Sequence, residues 1–186
     1  MRKGILLFVV SFVLFASLQA QSTKNVIKFN FVNLIFGEAT FPYERVLTPN
    51  SSIVISPSYG ESSQSGSGYS DNIKKTRMGI GFEYRAYLKN PEPAPSGVYF
   101  APGINYTYRK DNTTSTLGTT VNQKASIFNI KVVFGKQWVY KNHFVLDLNG
   151  GLQHTSDHVS DNTINGDDTQ ASGFFPALAF SVGYTF

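Results

Sequence analysis

Large apolar side chains recur at every second position in blocks along this chain, and polar, Gly-rich or Pro-rich stretches separate the blocks. The last block, Gly173–Phe186, carries the pattern most clearly. Phe174, Pro176, Leu178, Phe180, Val182, Tyr184 and Phe186 hold one parity; Phe175, Ala177, Ala179, Ser181, Gly183 and Thr185 hold the other. Strand side chains alternate between two faces, so this block predicts a strand with a bulky greasy face and a small or polar one. The apolar period is two rather than three or four, which disfavours a helix.

Eight such blocks can be read: Lys24–Phe36, Thr40–Thr48, Ser52–Gly60, Thr76–Leu88, Val98–Arg109, Val121–Tyr140, a seventh from Phe144 to Gln153, and Gly173–Phe186. Connections near residues 49, 93 and 142 are short, and Gly37-Glu38-Ala39 reads as a short turn. Glu61–Lys75, Lys110–Thr120 and Thr155–Ser172 read as long polar loops. Even numbers of antiparallel strands, short turns at one end and longer loops at the other are the marks of transmembrane β-barrels, of which eight strands is the smallest.

The faces differ in size as well as polarity. Met78, Ile80, Phe82 and Tyr84 oppose Arg77, Gly79, Gly81, Glu83 and Arg85; Phe128, Ile130, Val132 and Phe134 oppose Asn129, Lys131 and Gly135. A soluble sandwich or lipocalin-like barrel would turn the large residues inward. Here the small residues and charges suit a narrow lumen, and the aromatics suit lipid. The expected fold class is therefore all-β: an eight-stranded antiparallel transmembrane β-barrel. Hydrocarbon requires every backbone amide to be paired internally, which for strands means closure. Arg45 and Lys136 fall on the apolar parity, where long side chains near a membrane edge snorkel to water.

The N-terminus changes the picture of the mature chain. Arg2 and Lys3 precede the apolar run Ile5–Ala16, and Ser17-Leu18-Gln19-Ala20 leads to an expected cut between Ala20 and Gln21. The run is shorter than the roughly 20 residues of a spanning helix, so residues 1–20 read as a cleaved signal peptide and residues 21–186 as the barrel. Loss of Arg2 and Lys3 lowers the formal net charge from +4 to +2, and no Lys/Arg run argues for nucleic acid. Cysteine is absent, which excludes disulfides and thiolate metal sites. No cofactor is expected.

Lys28, Glu44, Arg77, Glu83, Arg85, Arg109, Lys131 and Asp147 share the polar face. An eight-stranded barrel has room inside only for side chains, so these charges are expected to pair across the lumen as a structural plug. An ion or proton path is the functional alternative. A diffusion pore is disfavoured by the same narrow, charged interior.

The sharpest catalytic candidate is Gln153-His154-Thr155-Ser156-Asp157. His154 and Ser156 share a face, and Asp168 or Asp167 could orient the imidazole, the arrangement an activated serine needs. His-x-Ser resembles the motif of the outer-membrane lipid A 3-O-deacylases, which are also eight-stranded. That resemblance implies an acyl-ester hydrolase using Ser156 and His154 at the outer leaflet. Asp157 stands where that family prefers Asn, and its acid is Glu. Asp161–Asp168 matches the early spacing of a calcium loop, but Ser172 stands where the closing Glu belongs.

Two further resemblances bear on location. The ending with Tyr184 and Phe186 resembles the C-terminal signature that the barrel-insertion machinery of Gram-negative outer membranes reads. Asn25–Leu47, through Lys28-Phe29-Asn30, Gly37 and Tyr43-Glu44-Arg45, resembles the opening of a family of small Gram-negative outer-membrane barrels described as a domain of unknown function. It implies an OmpA-like barrel among outer-membrane lipid and lipopolysaccharide, with periplasmic termini. The expected role is non-enzymatic: envelope support, or surface interaction through the loops with a partner of unknown identity.

Overall fold

Two-residue alternation becomes a curved wall with two chemically different faces in the computed structural model, which describes residues 25–64, 72–88, 93–114, 120–141, 143–161 and 169–186. The elements are β1 (Asn25–Asn30), α1 (Phe31–Ile35), β2 (Glu38–Thr40), β3 (Tyr43–Thr48), β4 (Ser51–Gln64), β5 (Asn72–Tyr87), β6 (Gly97–Thr114), β7 (Thr120–Tyr140), β8 (Phe144–Asp161) and β9 (Thr169–Thr185). The expected signal peptide and its Ala20/Gln21 cut lie outside the described residues.

All pairings are antiparallel, and neighbours from β3 to β9 follow chain order. β2 and β3 are two pieces of one wall strand, since each pairs with β1 on one side and β4 on the other. The break falls at Phe41-Pro42. Pro42 has no N–H to give a ladder, but its carbonyl accepts from Lys28 N at 2.8 Å, and Phe41 N reaches Pro57 O at 3.0 Å. The wall thus has eight strands, as the periodicity predicted. It closes where β1 pairs with β9, from Val26↔Thr185 to Asn30↔Ser181. Asn25 and Phe186 exchange two backbone hydrogen bonds of 2.9 Å, so these two residues sit together at the end of the short turns.

The first strand is shorter than expected. It stops at Asn30 because the Asn30 side chain accepts hydrogen bonds from Val32 N and Asn33 N and caps α1. Gly37 ends the helical stretch with φ of +76°, a left-handed conformation that suits glycine, and its N–H bonds to Leu34 O. The Glu61–Lys75, Lys110–Thr120 and Thr155–Ser172 segments are also corrected. Their flanks continue as paired strand, so β6 runs to Thr114 and β8 to Asp161.

The bulky parity faces outward: Phe82 is 45 %, Phe134 60 % and Phe180 39 % exposed. Aromatics gather at the turn end, where Tyr140 and Phe144 meet at 6.3 Å and His143 stacks on Tyr184 at 5.2 Å. Lys136 holds its ammonium 5.2 Å over the Trp138 ring. Inward glycines give large lumenal groups their room. A Cβ on Gly135 would lie 2.5 Å from the Tyr99 hydroxyl, and one on Gly183 would lie 2.6 Å from Lys28 Cγ.

Candidate functional site

Inward parity on β1, β3, β5, β7 and β8 sends five polar side chains to one level of the lumen: Lys28, Glu44, Arg85, Gln137 and Asp147, all buried. Lys28 Nζ donates to Glu44 Oε2 at 2.7 Å, Gln137 Oε1 at 2.8 Å and Asp147 Oδ2 at 2.8 Å. That uses all three ammonium donors. Arg85 Nη1 reaches Asp147 Oδ2 at 2.7 Å and Gln137 Oε1 at 3.1 Å, and its Nη2 reaches Glu83 Oε2 at 3.3 Å. Glu83 in turn accepts from Lys131 Nζ at 2.8 Å. Three cations thus face three carboxylates.

Neutral groups add to the shell. Ser52 Oγ and Tyr87 OH donate to Glu44 Oε1 at 2.5 and 2.6 Å, and Tyr99 OH donates to Asp147 Oδ1 at 2.6 Å. The Arg85 guanidinium lies 4.3 Å over the Tyr99 ring. Such a cluster adds little net stability over a packed apolar core, yet removing one member leaves a buried charge uncompensated. Lys28 has no donor left for a ligand, whereas Arg85 Nε and Gln137 Nε2 are buried without a partner among the described residues and Lys131 gives one donor, to Glu83. The cluster crosses the lumen and fills it at that level.

Six of the eight charges singled out by parity therefore meet in one network. Arg77 and Arg109 do not join it. Arg77 Nη1 reaches Phe36 O at 3.3 Å, and Arg109 Nε lies 3.3 Å from Asp111 Oδ2, nearer the loop end. The sequence places Tyr87 and Gln137 on the polar face but not among the network charges, and Ser52, Tyr99 and Asp111 were passed over. Their inward parity was the available signal, but they are uncharged or lie beyond the expected strand end.

His154 and Ser156 stand on the outer face of β8 toward the loop end, opposite Phe174 and Ser172 of β9. The His154 ring packs edge-on against Phe174 at 4.9 Å, and Ser156 is exposed. Among the described residues no hydrogen bond joins the two. Asp167 and Asp168 lie outside the described residues, as do residues 162–168 of the calcium-like stretch. No group of three His, Cys, Asp or Glu side chains converges among the described residues. At the end of the β4–β5 hairpin, Lys74 Nζ meets Glu61 Oε1 at 2.6 Å. That bond, with a second from Tyr59, draws the Glu61 carboxyl below its ordinary range and raises the Lys74 ammonium.

Above the plug, toward the loops, a cavity of about 420 Å³ is lined by Asn30, Asn33, Glu83, Lys131 and Asn149 among others. A second depression, on the outer face of β4–β7, is walled by Ile53, Ile55, Phe82, Ile104 and Ile130 and belongs to the apolar belt.

Scans against protein-family models and against curated protein sequences return no match. Among solved structures, the chain is similar to a major outer membrane protein from Thermus thermophilus, with a TM-score of 0.54 at 10% identity over 89% of this chain and 100% of that one. It also aligns with the translocator domain of the autotransporter NalP from Neisseria meningitidis, with a TM-score of 0.45 at 12% identity over 98% of this chain and 69% of that one. The Thermus protein shares the fold: this chain has an outer-membrane type of β-barrel fold.

Proposed function

We propose that this chain is a non-enzymatic barrel of the Gram-negative outer membrane, with periplasmic termini, that anchors extended hairpins at the cell surface. The observation that carries this reading is an apolar outer belt around a lumen filled by six mutually paired charges. A barrel built that way holds its place in lipid without conducting. The length of the strands supports the second half of the reading. β7 has 21 residues, while about 9–11 tilted residues cross a bilayer. The surplus lies on the loop side, where the β5–β9 hairpins would stand clear of the membrane and present surface to a partner. Lipid and lipopolysaccharide would surround the belt, and the insertion machinery would read Tyr184 and Phe186. The resemblance of Asn25–Leu47 to small Gram-negative barrels agrees. A deacylase role for His154, Ser156 and Asp168 draws no support from an imidazole that packs on Phe174 and shares no hydrogen bond with Ser156.

Two measurements test the proposal. In planar bilayers the purified protein gives no steady conductance, and open-channel currents would contradict the plug. On intact cells an amine reagent that cannot cross the membrane labels Lys74, Lys110 and Lys124 but reaches Lys141 only after permeabilisation. Labelling of Lys141 on intact cells would invert the topology.

A further inference from the structure

The wall is not continuous on its loop side. β1 leaves the sheet at Asn30, opposite Ser181, and above that point β9 pairs only with β8 among the described residues. Thr185 N donates to His143 O, and the β8–β9 register runs unbroken from Phe144↔Tyr184 to Val159↔Thr169. Odd-numbered residues of β9 therefore turn their backbone groups to β8, and even-numbered ones turn theirs toward the side β1 has vacated. Phe174, Leu178 and Phe180 face that side. So does Pro176, the residue with no N–H to leave unpaired and one tolerated on strand edges.

α1 flanks the vacancy without sealing it by a ladder. Phe31 meets Phe180 at 6.1 Å, and Phe29 packs on Phe31 at 5.0 Å and on Phe41 at 5.3 Å, which closes the wall just above the last β1–β9 pair. Beyond this sill, Phe36 is 71 % and Leu178 66 % exposed. The lumenal cavity above the plug reaches this gap. Its lining includes outward Pro176 and Leu178 as well as inward Ala177 and Ala179, together with Val32 and Phe36 of the α1 corner. Residues of both parities on β9 thus line this space, beside the edge that β1 leaves unpaired.

We propose that this gap is a lateral window through which the lumen takes a single-chain amphiphile from the surrounding leaflet. This goes beyond the anchoring role and rests on the membrane placement proposed with it. The two ends of the space differ in chemistry. At the mouth, Val32, Phe36, Pro176 and Leu178 offer carbon at the depth of the apolar belt, where an alkyl chain belongs. Inside, Asn30, Asn149 and Gln153 offer hydrogen bonds, and Lys131 gives one of its three ammonium donors to Glu83. A carboxylate or hydroxyl head fits that interior. The volume of about 420 Å³ lies within the ~300–1,000 Å³ of small-molecule sites. The plug beneath bars passage straight through, so an occupant enters and leaves sideways or toward the loops.

The test uses the mature chain in phosphatidylcholine vesicles with two photoreactive palmitic acids, one bearing a diazirine near the carboxylate and one at the chain end. Peptide mapping then locates the adducts. The head-proximal probe labels inward Ala177, Ala179 or Asn149, and the chain-end probe labels Phe36 or Leu178. Ala177→Phe, and Ala179→Leu as the milder filler, abolish the lumenal adducts while labelling of Ile130 on the far outer face stays. Adducts confined to the outer belt, with no excess at the gap, would overturn the window, as would absence of adducts from a chain that still migrates as a folded barrel. A chain that neither enters the vesicles nor shows heat-modifiable migration would overturn the membrane reading and the window together.

Discussion

The turn-side half of this barrel and its loop-side half are built on different terms. On the turn side all eight wall strands are paired, both neighbours of β1 are in register, and a net-neutral cluster around Lys28, Arg85 and Asp147 fills the centre. On the loop side β1 is replaced by α1, the edge of β9 is left on its own, and the lumen holds a cavity bordered by charges rather than a filled cluster. The contrast teaches that closure and plugging are needed at only one level. One complete ring of paired strands with one charge-balanced layer holds the cylinder. Above it the wall can open where a proline and a short helix blunt the exposed edge.

If that division is right, deletions should hurt in order of their depth in the turn-side half. Arg85→Ala strands Asp147 and Glu44 against fewer cations and should cost about 3–5 kcal/mol, read as the denaturant midpoint in detergent micelles. A loss below the cost of one exposed pair would mean that the cluster does not act as a unit. Gly135→Ala pushes a methyl onto Tyr99 and should cost about 1–3 kcal/mol by overpacking, measured in the same way. Asn30→Ala removes two capping hydrogen bonds from α1 and should cost about 1 kcal/mol. Its signature is faster amide exchange in residues 31–37, with the barrel amides of β6 and β7 unchanged. A global loss after Asn30→Ala would erase the distinction between the halves. Lys74→Ala, at an exposed hairpin end, should leave the midpoint where it was.

The belt was legible in the sequence because lipid imposes one rule on every outward residue. Phe82, Ile104 and Phe134 declared their face by size alone. Strand ends were less legible, since in Lys110–Thr114 and Thr155–Asp161 polar residues occupy both parities. Pairing continues there through the backbone, and side-chain alternation no longer reports it. The break at Asn30 had a signal, a capping residue seven positions before Gly37, but the alternation of Ile27, Phe29 and Phe31 masked it. For the lumen, parity placed Lys28, Glu44, Arg85 and Asp147 on one face. Which of them meet depends on the stagger of strands distant in sequence, and that depends on the whole ring. Tyr99 of β6 reaches Asp147 of β8 only because the β7 residue it crosses, at position 135, is glycine.

The central claim is the assignment of faces, and the absence of cysteine allows it to be probed one residue at a time. Single cysteines at positions 128–134 of β7, each carrying a nitroxide, can be scanned in lipid vesicles by power saturation with oxygen and with a water-soluble nickel chelate. The account predicts high oxygen access at Phe128, Ile130, Val132 and Phe134, and low access at Asn129, Lys131 and Val133. Oxygen access in the opposite phase, or nickel reaching Phe134 as freely as a hairpin end, would contradict it.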